Sequence, residues 1–419
     1  VKRVVVTGLG CITPIGNSVA EFRDSLYAGR SGIAAFDPNF PGGPPNDAGL
    51  KFKTTAQVRD FDPVRNPAQQ LTSGVIVTSD SSAQFGIVAA RQAAAESGLK
   101  HHYDPAAIAI VTGCACGGRA ADEEANRHLY TRNARIPPTV ILRTMASSGA
   151  SNIAIELGIT GPVVNLSTAC ASGTHAIGLA FQMVRSGMAA AAITGGYEAP
   201  LTFGFLRAWD SMRVVSPTCC RPFSADRDGM TLGEGAAMLV LEPLDSALAR
   251  GARIYAEIVG FGMSADAHHI TQPHAEGAAM AMTRALEDAG QSGVSGAAGR
   301  VGYINAHGTG TQTNDAVEAS AIHQAFGELA SRIPVGATKS LTGHSIGAAG
   351  AIEALATVLA LDSGSLPQTA GVTEVDSTLG LDVITGEARA MEPGRDLALS
   401  NSLAFGGLNA VLAFRRFQA

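Results

Sequence analysis

The sequence predicts an α/β protein whose sheets are covered by helices on both faces. Short apolar runs alternate with longer segments in which small and apolar residues recur at helical spacing, and glycine-containing turns separate the two. That alternation favours parallel strands joined by helical crossovers. With 419 residues, 46% of them hydrophobic, the chain can bury a large core and is neither disordered nor fibrous. Its length exceeds the roughly 100–200 residues of a common domain, so two domains or one large fused body are expected.

In chain order, residues 4–7 read as a buried strand running into a turn at Gly8-Leu9-Gly10, and residues 17–27 as an amphipathic helix. Residues 37–49, with Pro38, Pro41, Pro44 and Pro45, cannot sustain a helix and read as a surface loop or small cap. Residues 81–97 form a helix, 107–112 a strand, and 113–118 a flexible turn. The order recurs as a strand at 163–166, an elbow at 167–173, a small-residue helix to about Arg185, and a strand at 190–194. A boundary at 243–253 divides the chain into halves 1–250 and 251–419, the second opening with a strand at 254–259. Laying Gly173 on Gly407 matches Ser172, His175 and Ala176 with Gly406, Asn409 and Ala410, and suggests two related halves with a strand, an elbow and a helix start in each.

Composition narrows the function. Thirty Lys and Arg against thirty-six Asp and Glu leave a net charge of −6, without the broad basic footprint of nucleic-acid binders. An aromatic content of 5% argues against a base- or sugar-stacking platform. Six cysteines are too sparse for a disulfide scaffold and fit a reducing compartment. Residues 1–15 mimic a signal peptide, but Gly8, Gly10 and Pro14 interrupt the apolar stretch; no membrane span is expected elsewhere, and the expected location is cytoplasmic.

Three loops carry candidate chemistry. Cys170, in Thr168-Ala169-Cys170-Ala171-Ser172-Gly173, follows an apolar strand and precedes a helix, where unpaired N–H groups favour thiolate; it is a nucleophile or a small buried hydrophobe. His307 leaves the strand 301–305 in His307-Gly308-Thr309-Gly310-Thr311, and His344 stands in Gly343-His344 before a small-residue helix. Two loop histidines can donate to one carbonyl or move protons, and each alone can equally be a satisfied structural histidine. Lys339 can fold back across Gly343 into the same site, with Glu353 as its partner, or both can face solvent.

Together these segments resemble the β-ketoacyl-acyl carrier protein synthases, nearest to the elongating type II group, and the resemblance runs essentially end to end. It implies a thiolase-like fold of two duplicated βαβαβ halves in a five-layer αβαβα body, normally dimeric. It also implies that Cys170 accepts an acyl group from a carrier thioester and that His307 and His344 promote decarboxylation of malonyl carrier. Lys339 and Glu353 are implied as the supporting polar pair, and the N–H groups of Cys170 and Phe405 as the oxyanion site. Phe405 resembles the family's gating ring; Cys116, Thr309, Thr311 and His269 are implied to line the substrate path. No intrinsic cofactor or metal is implied: the phosphopantetheine arm belongs to the acyl carrier protein partner. The second subunit is another copy or a ketosynthase-like chain-length subunit, this chain being the side that holds the nucleophile.

Departures from the family pattern concern substrate. Cys116 stands where a branched aliphatic is usual, Ala404 and Leu408 replace glycine and threonine around the gate, His268 replaces an aromatic, and residues 66–82 lack the usual basic stretch. These favour specialised polyketide or polyene metabolism over housekeeping fatty-acid synthesis. The rival readings are a Cys/His acyl-thioester hydrolase and a noncatalytic carrier-binding partner. Cys114, Cys116, Cys219 and Cys220 lack the spacing of paired zinc ligands, and neither glycine cluster has the lysine of a nucleotide loop.

Overall fold

A computed structural model describes residues 1–37, 49–290 and 298–418; most of the expected proline-rich excursion at 37–49 lies outside the described residues. The strands that build the body are β1 (Val4–Ile12), β2 (Ile108–Gly113), β3 (Val163–Leu166), β4 (Ala191–Glu198), β5 (Gly235–Pro243), β6 (Ala256–Ala265), β7 (Val301–Asn305), β8 (Pro334–Gly336), β9 (Asp382–Val383), β10 (Leu397–Ala404) and β11 (Leu408–Arg416). The helices that matter here are α1 (Val19–Tyr27), α2 (Ser81–Ser97), α3 (Ser148–Leu157), α4 (Ser172–Ser186), α5 (Phe203–Met212), α6 (Ala275–Asp288), α7 (Gln312–Phe326) and α8 (Ala349–Ser363).

The strands are hydrogen-bonded in the order β9-β8-β7-β10-β11-β6-β1-β5-β4-β2-β3. Within each half, the strand nearest the β1–β6 junction pairs antiparallel with its neighbour, as do the next two, and the outer pairings are parallel. The order therefore repeats with β1, β2, β3, β4 and β5 equivalent to β6, β7, β8, β10 and β11. Helix α2 matches α6, α3 matches α7, and α4 matches α8.

The two halves join where β1 pairs antiparallel with β6, Val5 opposite Glu257. Helices α4 and α8 fill the layer between the two sheet halves; their core includes Phe181, Val184, Leu355 and Leu359 with Leu239 and Phe414 from the strands. Outer cores lie under α2 and α3 on one side and under α6 and α7 on the other. The result is the duplicated five-layer α/β body. Each fully buried leucine here contributes about 1.5–3 kcal/mol.

Helix α8 explains one feature of the composition. Ile346–Ser363 reaches a mean hydropathy of 1.5 and is long enough to cross a membrane, yet 89% of that window is buried inside the protein. It is apolar all round because it is packed all round.

Several expectations need correction. Gly8 and Gly10 do not end the first strand; β1 runs through them to Ile12. They are small because α2 lies against them: a Cβ on Gly10 would sit 2.0 Å from the Ala89 carbonyl oxygen, and one on Gly8 2.3 Å from that of Ala93. Helix α1 starts at Val19, two residues later than expected, because Ser18 caps it by accepting from the Glu21 N–H.

The internal register was also wrong. Leu408–Arg416 is a strand, so Gly407 does not precede a helix and cannot match Gly173. The strand order instead lays Gly173 on Gly350. These two helix starts touch, since a Cβ on Gly173 would lie 2.9 Å from the Ala351 nitrogen. The same shift lays Ala169 on Ile346, and both hold left-handed backbone, φ +49° and +47°. The repeated elbow is visible in backbone conformation although neither residue is glycine.

Candidate active site

The elbow at Ala169 directs Cys170 inward. A left-handed alanine costs on the order of 1–2 kcal/mol, and local hydrogen bonds hold it: Ser172 Oγ donates to the Ala169 carbonyl at 2.7 Å and accepts from the Thr168 N–H at 2.9 Å. Cys170 then lies just ahead of α4, 6% exposed, at one end of a cavity of about 250 Å³. His307 follows β7 and His344 precedes the α8 elbow; both line the same cavity. The chemistry thus gathers where loops leave the carboxyl ends of β3, β7 and β8.

Cys170 Sγ is 3.1 Å from His344 Nε2. The imidazoles of His307 and His344 are edge to face, centroids 5.4 Å apart. Lys339 Nζ reaches His307 Nδ1 at 3.1 Å and the His307 carbonyl at 2.6 Å, and pairs with Glu353 Oε1. An ammonium offers only donors, so His307 Nδ1 accepts and the ring proton sits on Nε2. Burial and the Lys339 charge hold both histidines well below the ordinary imidazole pKa, so both are neutral. Glu353 is pushed up to about 7 by burial, the Lys339 ammonium opposing the shift.

The sulfur departs from the sequence expectation. Burial raises the Cys170 thiol to about 11, although the Lys339 charge and the N–H groups of Phe405 and Cys170 itself pull it back. Desolvation therefore outweighs the helix terminus. Alkylation of Cys170 by iodoacetamide, followed by peptide mass, is expected to keep climbing close to tenfold per pH unit up to about pH 10. A plateau near pH 9 would mean an ordinary thiol.

Carboxylates that sequence reading passed over hold the loops. Glu318 on α7 accepts from the N–H groups of His307 and Gly308, each at 2.8 Å, and from Asn401 Nδ2 at 3.1 Å. Asp315 accepts from Phe223 N–H at 2.8 Å and Gly310 N–H at 3.2 Å. Their three-residue spacing on a helix beginning just after the His307 loop was the available signal. Glu198, at the end of β4, accepts from the N–H groups of Ala115, Cys116 and Gly347, tying the 113–118 turn to the α8 elbow.

Of the remaining expected residues, Phe405, Thr309, Thr311 and His269 line the cavity with the central three. Thr309 and Thr311 share a hydroxyl contact of 2.9 Å, and His269 Nδ1 accepts from the Thr271 and Gln272 N–H groups, shaping the entrance. Cys116 is not part of that lining. It belongs to an adjoining apolar cluster with Phe205, Trp209 and Ile346, and burial, the Glu198 charge and, less, Cys170 push its thiol up. Lys339 and Glu353 lie buried behind His307. Among the described residues no three His, Cys, Asp or Glu side chains form a group that could hold a metal ion.

Comparison with known proteins agrees with this geometry. Residues 1–247 match the N-terminal domain of β-ketoacyl synthase and residues 255–373 its C-terminal domain. The chain is 39% identical to nodulation protein E of Rhizobium sp. (strain N33), over 99% of both chains. It is 40% identical to 3-oxoacyl-[acyl-carrier-protein] synthase 2 of Synechocystis sp. (strain ATCC 27184 / PCC 6803 / Kazusa), covering 100% of this chain and 99% of that one. Among solved structures it is similar to the ishigamide ketosynthase/chain length factor, with a TM-score of 0.90 and 34% identity over the full length of both chains. It also matches a type II PKS acyl-carrier protein in complex with its ketosynthase, with a TM-score of 0.85 and 30% identity over the full length of both chains. A cysteine-bearing elbow facing two neutral histidines on a duplicated five-layer body, matched along its whole length, makes this chain a member of the β-ketoacyl-acyl carrier protein synthase family of thiolase-like condensing enzymes.

Proposed function

We propose that the chain joins an acyl group held on Cys170 to malonyl-acyl carrier protein, with loss of CO2, giving a β-ketoacyl carrier in specialised polyketide or polyene, or fatty-acid, biosynthesis. The observation that carries this reading is the placement of one sulfur and two neutral imidazoles on one cavity, with Cys170 Sγ 3.1 Å from His344 Nε2 and His307 fixed as its Nε2–H form by Lys339.

In the first half-reaction Cys170 Sγ attacks the acyl thioester carbonyl as the thiolate, its proton lost to solvent and the sulfur steadied by the His344 Nε2–H 3.1 Å away. The oxyanion accepts from the N–H groups of Cys170 and Phe405, both of which already reach the sulfur. The carbon–sulfur bond to the carrier arm then breaks, and the leaving thiolate takes up a proton from solvent, so His344 keeps its Nε2–H. In the second, the malonyl thioester carbonyl accepts from the Nε2–H groups of His307 and His344. The bond to the carboxylate breaks, CO2 leaves, and the enolate carbon attacks the acyl carbonyl on Cys170, whose sulfur departs and is reprotonated.

The carrier's phosphopantetheine arm enters beside Thr309, Thr311 and His269, and the acyl chain runs toward the Cys116 cluster. In this reading residues 1–250 supply the nucleophile and 251–419 the histidines. The partners are an acyl carrier protein and a second ketosynthase-like chain, either another copy or a chain-length subunit. Strand β3 supports a second chain of either kind: it is an edge strand whose Val163 and Val164 are exposed. The six free thiols suit a reducing cytoplasm.

The test loads the protein from a panel of acyl-carrier thioesters, adds malonyl-carrier, and follows the mass on Cys170 and the product. His344→Ala is expected to lower malonyl decarboxylation by about 10²-fold or more, and to slow acyl-cysteine formation less. Full turnover by this variant contradicts the assignment.

A further inference from the structure

Trp209, the one tryptophan in the sequence, stacks on Phe405. Their ring centroids are 5.7 Å apart and their planes 16° from parallel, while Phe205 meets the indole at 5.9 Å with a 58° tilt. Both rings of the stack line the cavity that holds Cys170.

The two partners stand on different elements. Trp209 rides on α5, which is held at both ends: Gly204 N–H donates to Glu123 at 2.9 Å, and the Asp210 carboxylate accepts from Lys51 N–H at 3.0 Å. Phe405 stands in the short turn between β10 and β11, followed by Gly406 and Gly407 at φ +84° and +70°. Gly407 is wedged, since a Cβ there would lie 2.5 Å from Asp266 Cβ, and the backbone after Phe405 is tied to a neighbouring loop, Gly406 N–H donating to the Ile270 carbonyl at 2.8 Å and the Gly407 carbonyl accepting from Asp266 N–H at 2.9 Å. The Phe405 side chain is held separately, its ring stacked on the indole.

The stack also joins two regions. Phe405 N–H reaches the Cys170 sulfur, and Trp209 belongs to the apolar cluster that contains Cys116. An acyl chain running from Cys170 toward that cluster must pass the stack.

We propose that Trp209 is a positioning residue for the Phe405 ring: its indole holds the ring over the cavity while Cys170 is free, and an acyl chain on Cys170 displaces the ring from the indole and takes its place there. Acylation thereby opens the cavity to the second thioester. This rests on the ketosynthase reading of the site.

The sole tryptophan reports directly on the stack. Octanoyl-carrier thioester is added to the full-length protein while intact mass and tryptophan emission are followed together. Emission is expected to shift in step with the acyl mass on Cys170 and to stay constant in Cys170→Ala. In Phe405→Ala it is expected to begin displaced and to change little on acylation.

Decarboxylation of malonyl-carrier by the unacylated protein is the second readout. Trp209→Leu is expected to raise it about two- to tenfold relative to condensation, the worth of one aromatic pair, and Trp209→Phe, which can still stack, to restore the low value. Acyl mass on Cys170 without any emission change, or a Trp209→Leu protein whose two rates move together, overturns the proposal. Absence of acyl mass on Cys170 sinks the ketosynthase reading and this coupling with it.

Discussion

Cys170→Ala is expected to abolish acyl loading and to lower condensation on the order of 10³-fold or more, while malonyl-carrier is still decarboxylated. The asymmetry follows from the site. In the proposed reaction the sulfur holds the acyl chain between the two thioesters, so its loss leaves no path for the first half-reaction. The groups proposed for decarboxylation are anchored from other loops: His307 is fixed by Lys339 and Glu318, and His344 by its backbone contact with Thr231 at 2.7 Å. Removing the thiol takes the 3.1 Å contact from His344 Nε2 but leaves these anchors in place. Intact mass after incubation with acyl carrier, and CO2 release from malonyl-carrier alone, measure the two halves separately. Loss of both in a folded variant would mean that the histidines do not act independently of the sulfur.

Lys339→Met is expected to be nearly as damaging, for a different reason. The ammonium meets His307 twice and Glu353 once, and all three residues are buried. Without it, His307 Nδ1 has no donor fixing the tautomer, so the population offering Nε2–H to the malonyl carbonyl falls. Cys170 also loses a nearby positive charge that lowers its thiol, so its pKa moves above the present value of about 11. Glu353, freed from the ammonium that opposes the effect of burial, moves up from about 7 and turns neutral at physiological pH.

Breaking a buried ion pair by removing one partner costs about 3–5 kcal/mol when the other stays charged. Protonation of Glu353 trims that cost, and because its folded-state pKa then exceeds the unfolded value, the variant's stability falls as pH rises through 7. Decarboxylation is expected to drop about 10²-fold, and the alkylation profile of Cys170 to move to higher pH. A variant with unchanged pH dependence would remove Lys339 from the electrostatics of the site.

The sequence made some of this legible for identifiable physical reasons. Strand-to-helix alternation survives in local composition, so residues 81–97 and 301–305 were bounded as the structure has them. The four motifs around Cys170, His307, His344 and Phe405 could be placed in loops because glycine and small residues crowd each of them. Close helix contact was not legible: Gly8 and Gly10 read as a turn because a glycine that admits a neighbouring helix looks the same in sequence as one that bends the chain.

Two related halves were expected but their register was misplaced, because it is carried by backbone conformation at Ala169 and Ile346, two residues with nothing chemically in common. The sequence left Cys170 as nucleophile or buried hydrophobe, and that burial sets the sign of its shift was not legible, since desolvation depends on layers supplied from the whole chain. Glu318 and Asp315 were passed over because acidic residues on a helix ordinarily face water. Trp209 went unremarked because its significance lies in which ring it touches.

The central claim is that Cys170 and the two histidines make a carbon–carbon bond rather than release an acyl group to water. The most direct test is a single turnover with acylated protein and malonyl-carrier labelled with ¹³C in its free carboxyl. One labelled CO2 is expected for each β-ketoacyl carrier formed, with Cys170 returning to the free thiol in the same turnover. Free acid released from Cys170 at that rate, with no lengthened carrier product, would contradict it and identify a thioester hydrolase instead.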